Sequence, residues 1–249
     1  MSRPRSLLLF STLVVLASGC QSSDGRDWPQ WRGPERTNIS AETGLLKAWP
    51  AAGPKLKWLF RSAGLGYSSI AVVGDRLYTM GARGDAEFAI AVDLTTGAEI
   101  WSTEIDSLFK NHWGNGPRST PTVHDNRVYA LGANGNLACL NAADGVRIWQ
   151  QNLAGLGGTI PRWGYTESVL VDDGKVLCTP GGAKGAIAAL DAKSGALIWQ
   201  SSMFTDEPQY TSMIAPTIQG APQYVQLTMQ NLVGIDPSDG GLLWRVEVP

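Results

Sequence analysis

The sequence predicts an all-β protein, a β-propeller built from four-stranded antiparallel blades. The main observation is a short pattern that occurs four times: Asp or Asn, then Gly four residues later, then Trp four residues after that. The four copies are Asp93, Gly97 and Trp101; Asn141, Gly145 and Trp149; Asp191, Gly195 and Trp199; and Asp236, Gly240 and Trp244. Their tryptophans are 48, 50 and 45 residues apart, which is the typical length of a propeller blade.

Each copy has the composition of a β-hairpin. A short apolar run precedes the turn, and a second run ends in the Trp. The Asp or Asn can accept hydrogen bonds from its own turn, the Gly can take a positive φ, and the Trp can pack between sheets. Two more β-like segments precede every hairpin, as in "SSIAVV" and "RLYTMG" before the first. We therefore expect four-stranded blades at about residues 64–102, 115–150, 164–200 and 211–249.

One further tryptophan indicates that the ring is incomplete. Trp58 lies 43 residues before Trp101 and predicts a single outer strand without the other three strands of its blade. Four blades closing by themselves would leave this strand unpaired and two sheet edges exposed, which natural proteins avoid. We interpret the sequence as about four complete blades and one orphan outer strand, part of a larger propeller.

The first 20 residues have the pattern of an export signal. Arg3 and Arg5 precede an apolar run from Leu7 to Ala17, which ends at "SGC". This ending resembles the lipobox of bacterial lipoproteins, which implies a lipidated N-terminus at Cys20. The alternative is an ordinary signal peptide with an incidental Cys. We expect a signal peptide at 1–20, an N-terminal tether at 21–54 and the propeller at 55–249, in a periplasmic or outer-membrane-anchored protein.

Charge and cysteine content exclude some classes of partner. Removal of residues 1–20 leaves 18 Lys and Arg against 22 Asp and Glu, a net charge of −4. Because no basic run remains to follow a phosphate backbone, we expect no nucleic-acid partner. Cys139 and Cys178 lie at non-equivalent places in different repeats. An oxidising compartment would permit a disulfide, but the spacing favours two buried, unpaired thiols.

The repeated hairpin resembles the pyrroloquinoline-quinone (PQQ)-like repeat. That repeat occurs in quinoprotein dehydrogenases and in the propeller lipoprotein of the outer-membrane β-barrel assembly machinery. The segments "DWPQWRGP" and "WGYTESVLVDDGKVLCTPGG" are similar to secreted PQQ-like propeller proteins of planctomycete type. The resemblance covers nearly all of the mature chain and implies an eight-bladed ring. It does not choose between enzyme and scaffold, because one fold serves both.

The segments that link one blade to the next carry the unusual side chains. In a propeller these links share one face, and such a face usually binds the ligand or partner. We therefore predict a polar and aromatic rim for a planar or anionic ligand or a peptide strand; the links also carry Arg162. The predicted rim is Tyr67, His112, Trp113, Arg118, Trp163, Tyr165, Glu167 and Tyr210. The alternative is that these aromatic residues only cover blade edges.

The function that these features favour is a binding or scaffolding module. We expect a protein or small-ligand partner on the link face, contact with the membrane through the lipid anchor only, and neither a cofactor nor a catalytic residue. We expect no metal site, because the sequence has only two histidines and no spaced Cys or carboxylate cluster.

The alternative is an alcohol-type, PQQ-dependent quinoprotein dehydrogenase. The resemblance implies that such an enzyme holds PQQ against an adjacent Cys–Cys disulfide and a Trp, with calcium bound by Glu and Asn near a catalytic Asp. This sequence has no adjacent cysteines.

Overall fold

The computed structural model describes residues 27–248, so the predicted signal and lipidation site at Cys20 lie outside the described residues. The described chain is all-β apart from one turn of 3-10 helix at Leu153–Leu156. Blades 1 to 3 are antiparallel four-stranded sheets with strands in chain order, which confirms the predicted architecture. Within residues 27–248 no helix is long and apolar enough to cross a membrane.

The strands of the first three blades have the following bounds. Blade 1 contains β1 (Ala71–Val73), β2 (Arg76–Arg83), β3 (Ala86–Asp93) and β4 (Glu99–Ser107). Blade 2 contains β5 (Thr122–His124), β6 (Arg127–Leu131), β7 (Asn136–Asn141) and β8 (Arg147–Asn152). Blade 3 contains β9 (Leu170–Asp172), β10 (Lys175–Cys178), β11 (Ala188–Asp191) and β12 (Leu197–Gln200).

The fourth blade is less regular than the others. A small hairpin of β13 (Thr217–Ile218) and β14 (Ala221–Pro222) precedes a three-stranded sheet of β15 (Tyr224–Leu227), β16 (Asn231–Ile235) and β17 (Leu242–Glu247). The innermost strand is reduced to one bridge between Ile214 and Val225. Pro216 and Pro222 lie in this region and cannot donate to a ladder, which accounts for part of the irregularity.

Three of the four repeated tryptophans, Trp101, Trp149 and Trp199, pack on the glycine turn of the following blade. A Cβ added to Gly145 would lie 2.6 Å from the Trp101 ring, and one on Gly195 would lie 2.7 Å from the Trp149 ring. The indole Nε1 of Trp101 donates to the Ala142 carbonyl at 3.1 Å, and Trp149 repeats this bond one blade further on. Glycine is required here for two reasons. A side chain would collide with the indole, and the turn needs a positive φ, which is +73° at Gly145 and +72° at Gly195.

The same contact occurs before blade 1 and before blade 4. A Cβ on Gly97 would lie 2.8 Å from Trp58, and one on Gly240 would lie 2.5 Å from Trp199. The indole of Trp58 donates to the Leu94 carbonyl at 2.8 Å. Residues 51–64 contain no strand, so the orphan strand expected at Trp58 does not form: no described segment pairs with it, and a strand needs a partner. The Trp58 side chain nevertheless packs on a glycine turn as the repeated tryptophans do. We call an indole that packs on the glycine turn of a blade a wedge.

The core lies between the blades. Three clusters of buried apolar side chains each combine residues of two neighbouring sheets: blades 1 and 2, blades 2 and 3, and blades 3 and 4. Trp101, Trp149 and Trp199 are each only 8% exposed and join these clusters. Cys139 and Cys178 are buried and unpaired. Trp244 differs, because its indole lies over Gly234 of its own sheet and donates to Gln223 at 2.6 Å.

Truncation of a wedge tryptophan should weaken the fold far more than truncation of a surface one. We expect Trp149→Ala to lower the free energy of unfolding by about 3–5 kcal/mol, the cost of a large cavity in a core. The control is Trp163→Ala, at a half-buried residue of a link. Chemical denaturation of both variants tests this; equal losses would contradict the distinction.

Two carboxylates are buried where blade 1 meets blade 2. Glu87 on β3 pairs across the sheet with Asp106 on β4, and both are almost completely buried. Glu87 accepts hydrogen bonds from the backbone N–H groups of Ala133 at 2.9 Å and Phe109 at 3.2 Å. Burial raises the pKa of Glu87 to about 7 despite these bonds, and the neighbouring Asp106 adds to the rise.

This arrangement predicts a dependence of stability on pH. Between its ordinary pKa of 4.5 and about 7, folded Glu87 holds a proton that the unfolded chain releases, so stability falls as the pH rises through that window. We expect Glu87→Gln to make the decline in melting temperature between pH 5 and 8 shallower. Part of the decline should remain, because burial also raises the pKa of Glu167 to about 7. Glu104→Gln, at an exposed position, is the control. An unchanged slope for Glu87→Gln would refute this assignment.

Candidate functional site

The link face of the propeller contains a pocket of about 340 Å³. All four links contribute to it: the segment before blade 1, and the connections from blade 1 to 2, from 2 to 3 and from 3 to 4. We call it the link-face pocket. It is lined by Tyr67, Trp113, Arg118, Arg162, Trp163 and Tyr210.

The strand topology places these residues together. In each regular blade the first strand runs away from the link and the fourth runs back toward it, so every link returns to the same end of the sheets. Hydroxyl groups join the link ends around the axis. The N–H of Ser69 donates to Thr120 Oγ1 at 3.2 Å, that of Thr120 to Ser168 Oγ at 2.9 Å, and that of Ser168 to Ser212 Oγ at 2.9 Å. This chain of bonds fixes the link ends of the four units relative to one another.

Arg118 is a buried cation in the wall of the pocket. Its residue is 7% exposed, and its guanidinium donates to the carbonyls of Gly114, at 2.7 Å, and Gly116. The guanidinium carbon also lies 4.9 Å from the ring centre of Phe109 and 5.5 Å from that of Tyr67. These contacts hold the positive charge in one place. Two carbonyl groups already accept hydrogen bonds from the Arg118 guanidinium. Arg118 therefore contributes to the pocket mainly as a fixed positive charge.

Arg162 is exposed and its guanidinium is available to a ligand. The guanidinium carbon lies 5.5 Å from the ring centre of Trp113 and 5.1 Å from that of Trp163. Among residues 27–248 no hydrogen bond or ion pair engages this guanidinium, and the nearby Trp163 Nε1 is a buried donor without a partner. Among the described residues, the pocket lining therefore presents two cations and four aromatic side chains and contains no carboxylate.

The loop that carries Trp113 is held by its neighbours. The Tyr67 hydroxyl donates to the Trp113 carbonyl at 2.5 Å, and Asn111 Nδ2 donates to the Arg162 carbonyl at 2.6 Å. Gly114 has φ +132°, and a Cβ there would collide with the Tyr67 hydroxyl. The pocket wall is thus braced between three successive links, which favours a preformed site.

The structure separates the predicted rim into two groups. Tyr67, Trp113, Arg118, Trp163 and Tyr210 line the pocket, together with Arg162. His112 is exposed and its ring lies 4.0 Å from that of Trp113, outside the lining. Tyr165 and Glu167 are 2% and 3% exposed and lie between blades. Tyr165 donates to the Pro180 carbonyl at 3.0 Å, and Glu167 accepts from the Thr179 N–H at 2.7 Å and from Gln226 at 3.1 Å.

The N-terminal segment, expected to be a tether, lies along the inner strands. Trp28 exchanges two backbone hydrogen bonds with Val72 of β1, at 2.7 and 2.8 Å, and the Pro29 carbonyl accepts from Val123 of β5 at 2.8 Å. Arg36 is 4% exposed. Its guanidinium donates to the carbonyls of Ser168 at 3.0 Å, Val169 at 2.5 Å and Met213 at 2.7 Å.

Arg36 shares its buried environment with Glu167. Burial lowers the pKa of Arg36 to about 10, and the charge of Glu167 opposes this change. Residues 27–36 thus contact the inner part of all four blades. The sequence signal for this role is one of two arginines, Arg32 and Arg36, in a short segment that also contains two Trp and two Pro, and a pattern search for strands does not detect it.

The lining does not fit the quinone and calcium site that the resemblance to quinoprotein dehydrogenases implies. Calcium requires several oxygen ligands, chiefly carboxylates, and no carboxylate is among the described residues that line the pocket. Residues 27–248 contain no group of three or more His, Cys, Asp or Glu residues that could hold a metal ion. Cys139 and Cys178 lie in different blades, so they supply no adjacent pair.

The fold and repeat define a PQQ-like repeat β-propeller, as comparison with known proteins confirms. A family model described as "Outer membrane protein assembly factor BamB" matches residues 35–164 and 85–249. These matches span most of the chain, which therefore belongs to this family. No curated protein sequence matches the chain.

Two solved structures align with the chain at low sequence identity. The quinohemoprotein alcohol dehydrogenase from Comamonas testosteroni is 19% identical with a TM-score of 0.64, and the match covers 89% of this chain and 41% of that one. BamB from Moraxella catarrhalis is 16% identical with a TM-score of 0.44, over 74% of this chain and 60% of that one. The chain thus spans about two fifths to three fifths of the length of these proteins. The alignment with the Comamonas testosteroni structure establishes the fold alone.

Proposed function

We propose that this protein is an exported, lipid-anchored β-propeller of the cell envelope that acts as a binding or scaffolding module. The link-face pocket is its binding site. The observation that carries the proposal is the pocket itself. Six side chains from four separate links converge on one cavity, and within the described part of the chain its lining has two cations, four aromatic side chains and no carboxylate.

The chemistry of the lining selects the kind of group that binds. A planar group can stack on Trp113 or Trp163, and an anionic group can accept hydrogen bonds from Arg162, which lies between the two indoles. The volume of about 340 Å³ is at the lower end of ligand sites. It suits a small planar anion, or one side chain of a peptide strand with its neighbouring carboxylate. Aromatic and arginine side chains of this kind are also those that dominate protein–protein binding energies.

Two observations support the envelope location. The sequence ends its apolar N-terminal run at Cys20 in a pattern that resembles a lipobox. The family to which the chain belongs is described by an outer-membrane assembly factor. A scaffold at the membrane surface needs an anchor and an exposed binding face, and the proposal assigns these roles to Cys20 and the link-face pocket.

The proposal predicts binding of a planar anion that depends on Arg162. The probe is naphthalene-2,6-dicarboxylate, titrated calorimetrically into the full chain. We expect Arg162→Gln to weaken binding about tenfold to a hundredfold, because a charge-assisted hydrogen bond contributes about 1.5–3 kcal/mol. Arg245→Gln, at an exposed position of β17, removes the same charge elsewhere and should bind normally.

Two outcomes would contradict the proposal. Absence of binding, or equal binding to Arg162→Gln and wild type, would remove the pocket as a site for planar anions. A parallel sample with PQQ and calcium tests the enzyme alternative. A shifted quinone absorbance with reduction of a dye by alcohols would show a dehydrogenase in place of a binding module.

A further inference from the structure

The propeller has two chemically different faces. One is the link face with its pocket. The other, which we call the turn face, carries the β1–β2 and β3–β4 turns of each regular blade. In blade 1 the strand pairing brings Val73, Arg76 and Asp93 together at the turn face. The corresponding strand ends of blades 2 and 3 also lie at the turn face.

The N-terminal segment enters the propeller from the turn face. The Asp27 carboxylate accepts a hydrogen bond from the N–H of Gly74, in the β1–β2 turn, at 2.9 Å. Trp28 then pairs with Val72, one step further along β1. Arg36 lies deeper, at the carbonyls of Ser168 and Val169, where β9 approaches the link face. The direction from Asp27 to Arg36 is therefore from the turn face toward the link face.

Hydrogen bonds hold residues 27–36 in place where the chain enters the propeller from the turn face. Two backbone bonds at Trp28, one at Pro29 and three donated by Arg36 connect it to four blades. A buried guanidinium that lost these carbonyls would be left without partners, which is costly. Asp27 therefore leaves the turn face close to the propeller axis.

The distance from Cys20 to Asp27 limits how the protein can stand on a membrane. The two residues are seven positions apart in the chain, and seven fully extended residues reach at most about 25 Å. A strand of six residues is about 20 Å long, and four strands about 4.8 Å apart extend about 15–20 Å outward from the axis. An anchor at Cys20 that ran around the edge to the link face would have to cover about 40 Å.

We propose that the lipid-anchored protein stands with its turn face toward the bilayer and its link-face pocket pointing away from it. The inference rests on the lipid anchor of the proposed function. The partner of the turn face is the lipid headgroup surface. The hydrogen-bonded turn carboxylates of Asp93, Asp191 and Asp236 have pKa values below the ordinary range, so this face stays charged and lies on the headgroups without entering the apolar layer.

Energy transfer between a label on each face and the membrane tests this orientation. Lys193→Cys places a label on the turn face, and Lys110→Cys places one on the link face; both positions are exposed and the two changes remove the same charge. Cys139 and Cys178 are buried, so a thiol-reactive donor labels the introduced cysteine. The full lipidated chain is reconstituted in vesicles that contain an acceptor-labelled phosphatidylethanolamine.

We expect transfer from position 193 to exceed transfer from position 110 by about twofold or more, because the positions differ in height by about one strand length, about 20 Å. Insertion of 20 Gly and Ser residues after Ser23 should abolish the difference, since the lengthened tether reaches about 90 Å. Equal or reversed transfer with the natural tether would overturn the orientation.

A separate measurement tests the anchor. Mass spectrometry of the N-terminus shows whether Cys20 carries lipid, and Cys20→Ser should abolish transfer from both labels. An N-terminus without lipid would overturn the anchor in the proposed function and the orientation with it. A lipidated chain with reversed transfer would overturn the orientation only.

Discussion

The packing of an indole on a glycine turn is the contact on which the whole arrangement depends. It occurs four times: Trp101, Trp149 and Trp199 each join one blade to the next, and Trp58 joins the segment before blade 1 to the Gly97 turn of that blade. The glycine both permits the left-handed turn and leaves room for the ring, while in the first three copies the indole N–H satisfies a turn carbonyl. The same contact therefore packs each sheet on its neighbour in the same way, and the apolar clusters form between the sheets.

The position of the wedge contacts also separates the surface used for packing between blades from the surface of the candidate binding site. Because the wedges and Asx turns occupy one end of the blades, the links at the other end are free of this packing role and can carry Trp113, Arg162 and Tyr210 as a pocket. Residues 27–36 cross between these ends along the inner strands and hold Arg36 among the carbonyls of blades 3 and 4. The proposed binding face, the face proposed to meet the membrane and the segment that joins them follow from one chain topology.

The sequence predicted the blade architecture because an exact spacing of Asp or Asn, Gly and Trp reflects local turn chemistry. Five of the residues predicted for the rim line the pocket together with Arg162, and their role in binding stays a prediction. It did not predict that Tyr165 and Glu167 are buried between blades, because their neighbours Pro180, Thr179 and Gln226 are distant in sequence. Arg36 escaped notice for the same reason: all three of its carbonyl partners lie more than 130 positions away.

The most direct test of the wedge compares two glycines that share a backbone conformation. Gly195 and Gly174 both have φ +72°, but a Cβ on Gly195 would lie 2.7 Å from Trp149, whereas the space beside Gly174 is open. Each Gly→Ala change costs about 1 kcal/mol for the positive φ, so any further loss at Gly195 measures the indole contact. The measurement is the free energy of unfolding of Gly195→Ala and Gly174→Ala by chemical denaturation. The account predicts a clearly larger loss for Gly195→Ala, and equal losses would contradict it.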